Sequence, residues 1–149
     1  MCLQNIKVDV AVDPGAAVPE YKTSGSSGMD LVANERVELS AFAPTLVDCG
    51  ISIAVPAGFE AQVRPRSGLS LNGVTVFNTP GTIDSDYRGK VKIILIYIPK
   101  DGNSDVYLIN KGDRVAQLVF APVIRCVFDL KLTLDGTERG EGGFGHTGK

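Results

Sequence analysis

The chain has a single histidine, His146, and only three cysteines, Cys2, Cys49 and Cys126, no two of them close in sequence. One histidine excludes a zinc site built from several, and a Ser-His-Asp triad would have to use that one residue. An odd number of scattered cysteines excludes a CxxC metal site and a disulfide framework. It suits a reducing compartment, the cytoplasm first, with the nucleus or an organelle left open. The thiols then act as small buried or half-buried hydrophobes. Long apolar runs are missing too: Ile93–Ile98 and Leu118–Ile124 are far shorter than the ~20 residues of a membrane span. No basic segment followed by an apolar stretch opens the chain, so no signal peptide and no membrane partner are expected. A basic surplus is absent as well. Lys and Arg number 15 against 17 Asp and Glu, a net charge of −2, which argues against a nucleic-acid partner.

What remains is a chain of 149 residues, room for one domain, with 44% apolar residues, enough for a packed core. Val, Ile and Thr number 17, 10 and 8, and these β-branched residues suit a pleated surface. Glycine (17) and proline (8) punctuate it. Ile6 to Val10, Ile51 to Val55 and Phe59 to Arg64 alternate apolar and polar, the period of half-buried strands. Val91 to Ile98 starts as an alternation and turns apolar on both faces, as a central strand would. Val106, Leu108, Val115, Val119, Val123, Val127 and Leu130 continue in short pieces. Turn signals lie between, at Asp13-Pro14-Gly15, Pro56-Ala57-Gly58, Asn72-Gly73, Thr79-Pro80-Gly81, Asp101-Gly102-Asn103 and Lys111-Gly112-Asp113. The pattern predicts an all-β fold, a jelly-roll-like β-barrel or sandwich with at most one short helix, a single turn after Arg66-Ser67-Gly68.

Two stretches depart from it. Thr23 to Gly28 is a small, polar, flexible loop, and the last eleven residues, Arg139 to Lys149, hold five glycines and one aromatic. Fixing a backbone residue costs about 1–2 kcal/mol, so this glycine-rich arm is expected to move freely until something binds it. Residues 1–138 are read as the domain and 139–149 as a mobile segment closing over a site. Gly140, Gly142 and Gly145 spell GxGxxG, but a dinucleotide site needs a strand before that pattern and a helix after it, and neither is expected here.

Three segments carry chemistry. Arg64-Pro65-Arg66-Ser67-Gly68 sets two guanidinium groups, a hydroxyl and a glycine together, a phosphate cradle or a strand end with solvated arginines. Gly81 to Gly89 resembles a β-hairpin with an acidic tip, where Asp84 and Asp86 could hold a metal or a water, or simply make a turn. Gln117 is the one polar group between Val115 and Pro122.

Taken in order, Gly28-Met29-Asp30-Leu31, Pro65-Arg66-Ser67-Gly68-Leu69, Gly81 to Gly89, Gly112-Asp113-Arg114-Val115-Ala116-Gln117 and Arg139 to Gly148 resemble the five motifs of the trimeric dUTPases, over the chain from about residue 5 to its end. The resemblance implies hydrolysis of dUTP to dUMP and pyrophosphate with Mg²⁺, which keeps uracil out of DNA and supplies dUMP for thymidylate synthesis. It implies a jelly-roll homotrimer whose active sites are shared between subunits. By that resemblance Asp84 matches the general base for the water attacking the α-phosphorus. Asn78 and the backbone at Ile83 match the groups that read the uracil edge, with Gly81 lining the site. Tyr87 matches the aromatic against the deoxyribose that leaves no room for a 2′-hydroxyl. Arg66, Ser67 and Gly68 match the phosphate-binding motif, with Ser67 near the leaving oxygen, and Gln117 the amide near the α-phosphate. Arg139 and Thr147 match groups closing on the γ-phosphate, and Phe144, beside Gly145, the aromatic stacking over uracil. No residue matches a direct metal ligand; Asp30 matches an aspartate acting on metal-bound water or on site architecture.

The chain departs from the family at Tyr97, where Asn is usual, an exchange expected to touch local interface packing. Ser70-Leu71-Asn72 lacks the usual Lys or His, and His146 sits at a variable position. Two alternatives share the fold. A dCTP deaminase-like enzyme needs an acid-base glutamate where this chain offers Asp84, and a non-catalytic trimeric binding module would lack the base or the arm.

Overall fold

The computed structural model describes residues 5–100 and 105–143. Among them the elements run β1 (Asp9–Val12), β2 (Met29–Val32), β3 (Val37–Ser40), β4 (Thr45–Ala54), β5 (Phe59–Arg64), α1 (Ser67–Ser70), β6 (Val74–Val76), β7 (Gly81–Ile83), β8 (Lys90–Tyr97), β9 (Val106–Ile109) and β10 (Arg114–Pro122). Two antiparallel four-stranded sheets form, in the orders β1-β4-β8-β6 and β2-β10-β5-β7, with a ribbon β3-β9 beside them. The fold is all-β and jelly-roll-like, and α1 is the one helical turn expected after Arg66. No helix among the described residues is long and apolar enough to cross a membrane.

Alternation sets which face each strand buries. On β8, Val91, Ile93, Leu95 and Tyr97 point inward, and on β4 so do Val47, Cys49, Ile51 and Ile53. Each large apolar side chain of this kind, once fully buried, contributes about 1.5–3 kcal/mol. β8 lies between β4 and β6, the central position its apolar run predicts. Tyr97 is buried in this core, its ring 5.4 Å from that of Tyr107, so the side chain at the usual Asn position packs within its own chain and not at a surface. Cys49 is buried there and Cys126 is exposed; both are free thiols. Burial, then the charge of Asp48, pushes the Cys49 thiol up to about 12.

Three expectations change. The segment from Gly81 to Gly89 is not a hairpin tip, because β7 pairs with β5 and β8 with β4 and β6, in the other sheet. Val123, Val127 and Leu130 lie beyond the last strand, 42%, 96% and 92% exposed; the Val123 amide still donates to the Gly58 carbonyl at 2.9 Å, but Val127 and Leu130 stand in a stretch that forms no strand. Thr23 to Ser26 is closed by a bond from the Ser26 amide to the Thr23 carbonyl at 3.1 Å and by side-chain bonds across the turn, more ordered than its composition suggests. Residues 123–139, ahead of Gly140, form no strand. Cys2 and the Asp101-Gly102-Asn103 turn signal lie outside the described residues.

Candidate active site

The sheet β2-β10-β5-β7 sets the motifs side by side. Asp30 on β2 pairs with Gln117 on β10, which pairs with Arg64 on β5, and the neighbouring residue of β5, Val63, pairs with Gly81 on β7. Residues far apart in sequence thus form one row across the strands. Gly28 leads into this row: a Cβ there would stand 3.3 Å from the Gln117 Cβ, tighter than side chains usually pack. Beyond the other end, the Asn78 amide nitrogen lies 3.4 Å from where a Gly81 Cβ would stand, so the two residues are in contact range.

Arg66 reaches back along the row. Its Nε donates to Asp30 Oδ1 at 3.1 Å and its Nη1 to the Arg114 carbonyl at 3.0 Å, while Arg114 Nη1 donates to Asp30 Oδ2 at 3.2 Å. The Asp30 side chain is only 8% exposed, so its charge is balanced by two guanidinium groups where little water reaches. Two of the five N–H groups of Arg66 are committed this way, leaving the rest of the fork for an anion beside the exposed Ser67 and Gly68. Sequence reasoning gave Arg114 no role, although it stands inside the fourth motif.

Asp84 stands elsewhere. It follows β7, exposed, and its carbonyl accepts the Tyr87 amide at 3.2 Å, closing a turn. Asp84 and Tyr87 line a cleft of about 180 Å³ with Thr82, Ile83, Lys90 and Lys92. Lys90 Nζ is ion-paired with Asp13, and that bond raises its pKa above the usual lysine value. Asp84 is three positions after Gly81, just past the end of β7, about 10 Å of extended backbone along the chain. Neither Arg66 nor Gln117 lines the Asp84 cleft.

Arg139 lies in the exposed stretch after β10, its Nε donating to the Gly142 carbonyl at 2.8 Å. Phe144, Gly145, His146 and Thr147 lie outside the described residues. No group of three His, Cys, Asp or Glu side chains that could hold a metal occurs among the described residues, and both Asp30 oxygens are taken by arginines. This donor set does not fit a protein-held metal ion.

The dUTPase family profile matches residues 15–148. Among curated relatives, the deoxyuridine 5'-triphosphate nucleotidohydrolase of Fusobacterium nucleatum subsp. nucleatum is 43% identical over 150 residues, covering 99% of this chain and 100% of its own. That of Syntrophotalea carbinolica is 51% identical over 136 residues, covering 89% and 90%. Among solved structures, the dUTPase of Staphylococcus bacteriophage 80alpha with dUPNHPP superposes with a TM-score of 0.88 at 23% identity, over 97% of this chain and 100% of that one. A mutant dUTPase of phage phi11 of S. aureus, described with a structural Mg(II) ion, superposes at 0.77 and 21%, over 86% and 98%. With four of its five motifs at one sheet, the family profile matched over residues 15–148 and relatives 43–51% identical over most of its length, this chain belongs to the dUTPase family.

Proposed function

We propose that this protein hydrolyses dUTP to dUMP and pyrophosphate. The observation that carries the reading is the cleft where the Asp84 carboxylate and the Tyr87 ring stand together on the third motif of a dUTPase-family chain. Asp84 takes a proton from a water as the water oxygen bonds to the α-phosphorus. The bond from that phosphorus to the bridging oxygen breaks, and its electron pair leaves with pyrophosphate. Such transfers need positioning and neutralised charge more than covalent help. Arg66 supplies charge, Ser67 a hydroxyl near the leaving oxygen, and Gln117 an amide near the α-phosphate. Tyr87 packs on the deoxyribose, while Asn78 and the Ile83 backbone read uracil. Arg139 and the residues after it close over the substrate and exclude water. The Mg²⁺ expected of the family would be held by triphosphate oxygens and water.

The enzyme works as a homotrimer. Two features support this. Arg66 is turned onto Asp30 and does not line the Asp84 cleft, which suits a site that a second subunit completes. The stretch after β10 is apolar and bare: Ile124, Val127, Phe128, Leu130, Leu132 and Leu134 are each at least 87% exposed, which calls for a covering surface. An apolar cleft of about 510 Å³, lined by Ile6, Val8, Val18, Tyr21, Phe59 and Phe120 among others, is a matching surface on another copy. The reducing cytoplasm suits the free thiols Cys49 and Cys126. The product dUMP feeds thymidylate synthesis, and removal of dUTP keeps uracil out of DNA.

The test is pyrophosphate release with Mg²⁺ from dUTP, dTTP, dCTP and UTP, alongside sizing of the purified protein. Turnover of dUTP alone, by a trimer, is expected. Ammonia released from dCTP would make the protein a deaminase, and no turnover of any of the four would make it a binding module.

A further inference from the structure

Tyr87 is half exposed, and its ring end lies against the backbone of Gly89. A Cβ built on Gly89 would meet the Tyr87 hydroxyl and stand 2.5 Å from Cζ and 3.0 Å from Cε2. Side chains do not approach so closely, so any residue but glycine at 89 must push the ring aside. Backbone conformation is not what requires glycine here. Gly89 is absent from the glycines with positive φ, unlike Gly73 or Gly112, so an alanine could adopt its dihedrals. The space is taken by Tyr87.

The ring is held from other directions too. Its hydroxyl donates to the Lys90 carbonyl at 3.1 Å, the residue after Gly89 and the first of β8. The Tyr87 amide is bonded to Asp84, and Arg88 Nη1 donates to the carbonyls of Ser85 and Tyr87 at 2.7 and 2.8 Å, tightening the turn beneath. Tyr87 therefore stands over a bare Cα with its outer end tied to the following strand.

We propose that Gly89 is a positioning residue for sugar selection: its missing side chain is the seat that lets the Tyr87 ring stand where a 2′-hydroxyl would otherwise fit. The proposal rests on the assignment of Tyr87 to the deoxyribose given above. Gly89 touches no substrate and acts only through the ring.

A two-by-two cycle of Gly89→Ala and Tyr87→Ala tests it, read as the ratio of kcat/KM for dUTP to that for UTP. Packing alone rejects an added hydroxyl by on the order of a hundredfold, and Gly89→Ala should lose about tenfold of it. In the Tyr87→Ala background the same change should leave the ratio within about twofold, since the ring it displaces is gone. An unchanged ratio in Gly89→Ala, or an equal loss in both backgrounds, overturns the proposal. So does a Tyr87→Ala protein that keeps the full ratio. Thermal melting of the four proteins reads the contact without substrate: Gly89→Ala should lower the melting temperature only where Tyr87 is present. If the parent protein fails to turn over dUTP, the functional reading falls, and the melting cycle still decides whether Gly89 is the seat of the ring.

Discussion

Asp30 and Arg66 are joined by a 3.1 Å bond from the guanidinium Nε to an almost fully buried carboxylate oxygen, although 36 residues separate them in sequence. The other oxygen of the same carboxylate holds Arg114, whose carbonyl holds Arg66 in turn. Such a triangle fixes the direction of the Arg66 guanidinium, the group proposed to meet phosphate, before any substrate arrives.

Asp30→Asn keeps the shape of the side chain and removes its charge, leaving two guanidinium groups facing an amide. The loss should be about 1–3 kcal/mol of stability, together with a fall in kcat/KM of roughly ten- to a hundredfold as Arg66 loses its orientation. Arg114 is half exposed, so Arg114→Lys should cost less on both counts. Thermal melting and steady-state kinetics check this, and wild-type behaviour of Asp30→Asn on both would remove the clamp from the site.

Asp84→Asn should keep KM within a few fold and lower kcat by about 10²–10⁴, because an amide cannot accept the proton of the attacking water. Asp86 is two residues away but does not line the cleft, so Asp86→Asn should stay close to wild type. Equal losses in both variants would show that acidity of the turn matters and not a base at position 84.

Truncation before Arg139 should leave a folded trimer with little turnover, since the last strand among the described residues ends at Pro122 and the removed segment is the one proposed to close over the substrate. Circular dichroism, sizing and pyrophosphate release separate the outcomes. A truncated protein that unfolds would make the segment structural.

Phe128→Asp and Leu130→Asp put charge on side chains that are 87% and 92% exposed in the single chain. If another copy covers them, each should shift the trimer toward smaller species on a sizing column, because burying an unpaired carboxylate is costly. An unchanged elution volume would place the trimer contacts elsewhere.

The Cys49 thiol, held up to about 12 by burial, is neutral in the folded protein, whereas the unfolded chain loses that proton near pH 9. Its contribution to stability is therefore complete below pH 9 and declines by roughly 1 kcal/mol per pH unit as pH rises toward 12. Denaturant titrations across that range should show the fall, and Cys49→Ala should remove it. Peptide mapping after alkylation at neutral pH should find Cys49 modified only once the protein is unfolded.

Strand positions and inward faces were legible because alternation is a local property. β5 and β8 lie where the periodicity predicts, while β4 starts at Thr45, six residues before the alternation at Ile51 to Val55. Pairing partners were not legible. The acidic segment after Gly81 has the composition of a hairpin tip, yet its two flanking strands enter different sheets, because β7 finds its edge on β5, well upstream in the chain. The site was legible as five motifs in order, but Arg114 and Gly89 carry roles that appear only as contacts, one to a carboxylate 84 residues away and one to the ring of nearby Tyr87.

Few histidines, scattered cysteines, balanced charge and a two-residue period determine by themselves a small all-β chain with neither a multi-histidine metal site nor a membrane-length run. Side-chain type and spacing suffice for that, since alternation selects a face and composition sets the available chemistry. Tertiary structure decided which of these groups meet. Sheet order brings Asp30, Gln117 and Arg64 into one row and leaves Asp84 just past the end of β7. Hydrogen-bonded register is a long-range property settled by which strand edges remain free when the core closes, and no local pattern encodes it.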